Sequence, residues 1–519
     1  VTDTKMNGAE SLVHTLLAND VNICFTNPGT SEMHFVAALD HIAGMRSVLV
    51  LQEGVATGAA DGYYRMARKP ASTLLHLGPG LANGLSNLHN AKKAGSGVVN
   101  IIGEHASTHI ELDAPLTSDI EGIARPVSHW VHTSHSASDV GADAARAVQA
   151  AMVSPGQIVS LILPSDTAWN EGGEPAEAFD LPVPAPFNES LLDQATRALD
   201  GPETLLLLGG KALTESNLEI AGKIAAKTGC KLLSEWSNAR LERGAGRVYI
   251  GRVPYPIDIA LEVLKPFKRI VLVGARAPIG FFAYPGKPAI LTREGAEILT
   301  LADAGADLTA ALQALRDAAG ATDTAPAHVV EAALPERPTG AIDLDTLAAV
   351  IARAIPEDGI VVDESVTTGR AFSPATKGAA RHTWLNNCGG SIGYAMPAAI
   401  GAAIACPDRK VLCMSGDGSA MYTVQSLWTM AREKLDVTIL IFANRSYKIL
   451  RGELTNVGVG NPGPRAIDML SLDRPALDWV QMARSMGVTA QCVDTCEALE
   501  AALEEGLSGE GPNLIEITL

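Results

Sequence analysis

Residues 410–451 read KVLCMSGDGSAMYTVQSLWTMAREKLDVTILIFANRSYKILR, and two short pieces of that stretch decide the rest. The apolar run Val411-Leu412-Cys413-Met414 leads into Gly416-Asp417-Gly418, and a second apolar run, Val437 to Phe442, is closed by Asn444. Uninterrupted apolar runs bounded by turn residues predict strands buried on both faces, as in a parallel sheet covered by helices. A strand ending in Gly-Asp-Gly lets the main chain approach a diphosphate closely. The carboxylate of Asp417 can then hold a divalent cation against the phosphate oxygens. Asn444 follows twenty-seven positions later as an amide oxygen at the end of the next strand. Mg²⁺ is a hard ion that keeps few protein ligands and takes the others from phosphate and water, so an Asp, an amide oxygen and a nearby carbonyl suffice. A lone Gly-Asp-Gly is a common turn, and the spacing to Asn444 is what gives this one chemical meaning.

Outward from that stretch, the chain is too long for one core and predicts roughly three domains. The amino-terminal third alternates short apolar runs with helix-period segments, which indicates parallel strands and crossover helices. Ile23–Phe25 and Ser47–Leu51 read as strands, Asn27-Pro28-Gly29-Thr30 as a turn into a helix from about Ser31, and Pro155–Pro164 as the last strand of the unit. Residues 167–189 and Ala318–Thr339 have linker composition. Between them a second α/β unit carries the strands Thr204–Leu208 and Arg269–Val273, and a third begins near Ile342. The expected fold class is α/β, with domains at 1–168, 187–320 and 340–519.

Forty basic against fifty-eight acidic residues give a net charge of −18, which argues against nucleic acid or an anionic membrane surface as a partner. No run approaches the ~18 apolar residues needed to span a bilayer, and no basic segment precedes an apolar one at the amino terminus. A cytoplasmic protein is expected. Its seven scattered cysteines lack a Cys-x-x-Cys pair and read as reduced thiols.

The stretch 410–451 resembles the thiamine-diphosphate motif of the superfamily that includes acetolactate synthase, pyruvate decarboxylase and benzoylformate decarboxylase. The resemblance implies three doubly wound parallel-sheet domains: pyrimidine-binding, middle and diphosphate-binding. It also implies thiamine diphosphate as cofactor with Mg²⁺ (or Ca²⁺) held by Asp417, Asn444 and the main-chain carbonyl of Ser446. Thr367, Gly416, Gly418, Ser419 and Tyr447 are implied as further cofactor contacts. The family usually has two Asn where this chain has Ala443-Asn444; the second is the ligand, so the metal site is expected to survive.

Glu53 lies in Leu51-Gln52-Glu53-Gly54, followed by Ala60-Asp61-Gly62-Tyr63, which resembles the family's Glu-then-Ala-Asp-Gly-Tyr pattern. Thiamine diphosphate is nearly inert until its C2 carbon loses a proton, which its own 4′-amino group can take when the ring is in the imino form. A carboxyl bonded to the opposite ring nitrogen favours that form, and Glu53 has the chemistry for it. The alternative is an ordinary helix-start glutamate favoured by the helix dipole. Gly389 to Ala398 matches a second family segment and implies Ile392 as the apolar wedge between the cofactor rings; the plain alternative is a core Ile before an Ala-rich helix.

Asn27-Pro28-Gly29-Thr30 and Leu75-His76-Leu77-Gly78-Pro79-Gly80 look closer to benzoylformate decarboxylase than to pyruvate decarboxylase, whose paired histidines are missing. By that resemblance Thr30 would bond a substrate carboxylate and His76 would relay protons. The match fails at Ala277–Tyr284, where that enzyme has a second histidine, and at Glu453, where an aromatic pocket residue is expected. Glu104 stands where relatives often carry Gln. Tyr249–Tyr255 replaces the acetolactate synthase segment near the FAD site, so FAD is not expected. His129, His132 and His135 lack the partners of a metal site, and Gly209-Gly210 lacks the full dinucleotide fingerprint.

The expected function is decarboxylation of a small-molecule 2-oxo acid through a C2-ylide and enamine. The alternatives are an acetolactate-synthase-like carboligase that joins the enamine to a second carbonyl and, more remotely, a non-catalytic cofactor-binding protein. Family members hold the two ends of the cofactor on different subunits, so a homo-oligomer, dimer or tetramer, is implied.

Overall fold

The computed structural model describes residues 5–519; the first four residues of the expected amino-terminal domain lie outside it. Three sheets carry the chain. The first consists of β1 (Ile23–Asn27), β2 (Arg46–Leu49), β3 (Ala71–Leu75), β4 (Val98–Glu104), β5 (Trp130–Thr133) and β6 (Ile158–Pro164), all parallel in the order β2-β1-β3-β4-β6-β5. The second holds β7 (Thr204–Leu208), β8 (Lys231–Ser234), β10 (Gly251–Arg252), β11 (Arg269–Val273) and β12 (Glu297–Ala302), also parallel, with β7 central. The third holds β13 (Gly359–Glu364), β14 (His382–Asn386), β15 (Val411–Gly416), β16 (Val437–Ala443), β17 (Thr489–Val493) and β18 (Asn513–Thr518). Its seventh strand, β9 (Arg240–Arg243), comes from the middle stretch of the chain and runs antiparallel to β14.

The apolar runs became central strands for the reason the sequence suggests. Every residue of β7, β6 and β16 is buried, because helices cover both faces and no polar alternation is needed. The helix expected from Ser31 starts at Met33, after a 3-10 turn over Thr30–Glu32, and Ser47–Leu51 is shortened to Arg46–Leu49.

The first and third sheets share one apolar core that runs from Ile23 and Phe25 through Ala398 to Ile439. At its centre the helix Glu53–Ala67 packs on the helix Ala395–Ala405. Small residues permit the approach: a Cβ on Gly62 would lie 2.1 Å from the Ala398 carbonyl oxygen, and one on Gly401 would lie 1.9 Å from that of Ala59. The Arg65 guanidinium, wholly buried, closes the seam. It forms a two-pronged pair with Asp61 (2.8 and 2.7 Å) and donates to the Asn386 carbonyl (2.6 Å) and the Tyr394 hydroxyl (2.8 Å).

Candidate active site

Because the strands of each sheet other than β9 are parallel, the loops that leave their carboxyl ends gather on one side, where ligands bind in open α/β sheets. In the third sheet, β15 and β16 are neighbours with Gly416 opposite Phe442, so the Gly-Asp-Gly turn and Asn444 emerge side by side. Asp417 opens a short helix and is only 3 % exposed. One carboxylate oxygen accepts the Gly418 N–H at 2.9 Å and the other the Arg445 N–H at 2.7 Å. Burial raises its pKa above the ordinary carboxylate value, and those main-chain donors oppose the shift.

Asn444 directs its amide oxygen back onto the Ser446 N–H and hydroxyl, at 3.0 and 3.2 Å, across Arg445 in the left-handed region (φ 51°). Bonds from the Tyr447 N–H to the Leu470 carbonyl and from the Leu472 N–H to the Arg445 carbonyl flank Ser446 and leave its own carbonyl out of the pairing. The Tyr447 ring lies against Gly418, where a Cβ would come within 2.6 Å of it. Ser419 is buried at the first turn after Asp417, and half-buried Thr367 precedes a 3-10 turn over Thr368–Ala371.

Glu53 is the first residue of the helix Glu53–Ala67, one short turn beyond the carboxyl end of β2. Helix start and chemical role do not compete, since the helix carries the carboxyl while Asn83 donates to it at 3.0 Å. Glu53 is 8 % exposed, and a Cβ on Gly80 would sit 3.3 Å from both its carboxyl and the His76 Cβ. Both side chains therefore lie close to one glycine. His76 precedes the helix Leu77–Ala94, with Leu77 in the left-handed region (φ 46°) that a bulky side chain rarely adopts.

Thr30 is exposed, and the hydroxyl joining this group is that of its neighbour Ser31, 3.4 Å from His76 Nδ1. Sequence reading missed Ser31 and the buried Glu32 beside it; a buried acid following the Asn-Pro-Gly turn leaves no periodic signal. Glu104, at the end of β4, is buried, its pKa raised by that burial, and it accepts the His105 N–H at 2.6 Å.

Ile392 lies between two anchored residues. Asn90 bonds both the N–H and the carbonyl of Ser391 (3.1 and 2.8 Å), while Asn87 reaches the Gly393 carbonyl (3.2 Å) and the Gly54 carbonyl beside Glu53 (2.9 Å). Below, Glu364 at the end of β13 accepts the Tyr394 and Ala395 N–H groups, and burial pushes its pKa up to about 7. Phe281 packs on Gly390 and Phe282 and joins Trp236 and Tyr255 around a cavity of about 240 Å³. Tyr284 donates to Glu453 at 2.6 Å, linking the middle segment to the helix Lys448–Asn456. In the second sheet the crevice after Gly209-Gly210 is filled by Glu235, which accepts main-chain N–H groups of Gly210 and Arg276.

Residues 6–128 match the N-terminal TPP-binding domain of thiamine pyrophosphate enzymes, and residues 368–517 match the C-terminal TPP-binding domain. The chain is 48 % identical, over 99 % of both chains, to a Mycobacterium tuberculosis protein with the provisional name acetolactate synthase large subunit IlvX. It is 29 % identical to benzoylformate decarboxylase of Pseudomonas aeruginosa, over 95 % of each chain. The solved structure of a thiamine diphosphate-dependent 4-hydroxybenzoylformate decarboxylase from Rhodococcus jostii superposes with a TM-score of 0.86 over 98 % of both chains at 24 % identity, a likeness of fold. The chain belongs to the thiamine pyrophosphate enzyme family. Within it, the protein is a thiamine-diphosphate-dependent enzyme of the decarboxylase and acetolactate synthase type.

The residues fit the cofactor. Asp417 is a buried carboxylate with main-chain donors and, among the described residues, no basic side chain hydrogen-bonded to it, which suits a divalent cation. Among the described residues no three His, Cys, Asp or Glu side chains gather into a metal cage. An Asp, an amide oxygen and a carbonyl would need phosphate oxygens to complete the shell. No helix among the described residues is long and apolar enough to cross a membrane.

Proposed function

We propose that this enzyme decarboxylates a 2-oxo acid and releases the corresponding aldehyde. Thiamine diphosphate, when bound, supplies the carbon nucleophile and the electron sink that the loss of CO₂ requires. Asp417, Asn444 and the Ser446 carbonyl would hold Mg²⁺, while Gly416, Gly418, Ser419, Thr367 and Tyr447 would line the diphosphate. Ile392 would support the rings, and Glu53 would meet the pyrimidine nitrogen. His76 carries protons, and the Thr30 hydroxyl receives the substrate carboxylate. The single observation that carries this reading is the buried Glu53 carboxyl, held by Asn83 and close to the same glycine, Gly80, as His76.

A second reading, carboligation of the decarboxylated fragment to another carbonyl, is favoured by the 48 % identity to the protein named for acetolactate synthesis. We further place the protein in the cytoplasm as a homo-oligomer with sites between subunits, and set the domain limits at 1–168, 187–320 and 340–519.

The test is a panel of 2-oxo acids offered with thiamine diphosphate and Mg²⁺, with and without aldehyde acceptors. Aldehyde and CO₂ from one substrate support decarboxylation, whereas a 2-hydroxy ketone that forms only with a second carbonyl supports the carboligase. Glu53→Gln should bind the cofactor within a few-fold of the parent and lose roughly 10²–10⁴ in turnover. Full activity in that variant would sink the role given to Glu53.

A further inference from the structure

Glu32 is a buried acid that the roles above leave unused. It ends the 3-10 turn after β1, with its side chain 1 % exposed, and three donors converge on it. One carboxylate oxygen accepts the Ser31 hydroxyl at 2.6 Å; the other accepts the Gly29 N–H at 2.7 Å and faces His76 Nδ1 at 2.8 Å. A carboxylate only accepts, so the proton of the third contact must sit on Nδ1. Ser31 approaches the same nitrogen at 3.4 Å, but its proton is already given to Glu32. Nε2 takes no protein partner among the described residues.

The seat is rigid on three sides. A Cβ on Gly103 would lie 1.7 Å from the Glu32 carboxylate, and one on Gly29 would lie 2.1 Å from His76 Nδ1. On the third side the strained Leu77 follows the imidazole directly. Neither acid nor ring can slide without meeting main chain.

We propose that Glu32 is a positioning residue that fixes His76 in the tautomer protonated at Nδ1 and leaves Nε2 as the nitrogen free to exchange a proton. The inference rests on the reading of His76 as the proton carrier. A free histidine in water favours the other tautomer and rotates; a buried carboxylate partner removes both freedoms before substrate arrives. Ser31 and the Gly29 N–H hold the carboxylate in turn.

The test uses the holoenzyme with thiamine diphosphate and Mg²⁺, labelled with ¹⁵N in the histidine rings, His76 being identified by the signals lost in His76→Ala. The parent should show a protonated Nδ1 and an unprotonated Nε2, and Glu32→Gln should shift His76 toward the Nε2-protonated form or a mixture. An Nε2-protonated parent overturns the proposal whether or not any variant folds, and so does a tautomer unmoved by Glu32→Gln. In kinetics, Glu32→Gln should lower kcat roughly 10²-fold with KM within about threefold. Added to His76→Ala, it should change kcat less than about twofold. An undiminished loss in that background would mean that Glu32 acts independently of His76, against the proposal. Full turnover in His76→Ala alongside a tautomer that follows Glu32 would remove the proton-carrier reading and leave the positioning standing.

Discussion

At the carboxyl edge of the third sheet, the groups proposed to face the cofactor lie on two adjacent strand ends, 416–419 and 444–447, where the Gly418 and Ser446 N–H groups bond side chains one and two places away. Asp417 reaches Arg445 only because β15 and β16 are neighbours. At the carboxyl edge of the first sheet, Glu32, Glu53, His76 and Glu104 come from four separate excursions of the chain, and side chains hold one another over separations of thirty to forty-four residues. A grip on a diphosphate and its cation needs close main chain and fixed carbonyls, which local geometry supplies. Proton handling needs an acid and an imidazole at controlled distance in a dry setting, and distant elements must pack to create it.

The largest effect should come from removing the local grip. Asp417→Ala is expected to weaken thiamine diphosphate binding at fixed Mg²⁺ by at least about 100-fold, or about 2.8 kcal/mol. Activity should vanish while the apo-protein melts near the parent temperature. Fluorescence titration with the cofactor and calorimetry check both halves, and unchanged affinity would break the comparison at its firmer end.

The next largest should come from the seam that carries Glu53. Gly401→Val drives a branched side chain into the Ala59 carbonyl and the Tyr63 N–H, and is expected to destabilise by about 2 kcal/mol. Denaturant unfolding measures this, and turnover at a temperature where the variant remains folded should fall because the Glu53 helix shifts. Wild-type stability would mean that the helices can part without loss.

The smallest effect tests a part of the third sheet remote from the Asp417 turn. His382 in β14 is wholly buried beside Arg243, its Nδ1 donates to the Ala380 carbonyl at 2.7 Å, and burial with the neighbouring arginines pulls its pKa down to about 3. A base with a depressed folded pKa contributes stability fully above the unfolded value near 6.5 and loses it as the pH falls toward 3, since only the unfolded chain takes the proton readily. Between pH 6.5 and 5 this loss should reach about 1.6 kcal/mol. His382→Asn keeps a donor for Ala380 but cannot protonate, so its stability should fall less over that interval. Parallel profiles for parent and variant would place the acid sensitivity elsewhere.

Much of the fold was legible because uninterrupted apolar runs such as Val411–Met414 and Thr204–Leu208 have few other homes than a parallel sheet covered on both faces. The strand β9 was not legible. Arg240–Arg243 alternates polar residues and joins a sheet otherwise built more than a hundred residues later, through bonds that depend on where β14 stands. The site divides the same way: Asp417 and Asn444 form a spaced motif, whereas Glu32 is one acid among many until the fold presses it against His76.

By itself the sequence determined the parallel α/β class and the spaced Gly-Asp-Gly and Asn444 motif on which the proposed grip rests, because each follows from residues close along the chain and from the burial of apolar strands. Only the tertiary structure decided that Glu53 begins a helix, that Ser31 stands beside the imidazole, and that Glu32 holds it. Those depend on contacts between elements far apart in sequence, where a glycine at 80 or 103 matters for the space it leaves to another side chain.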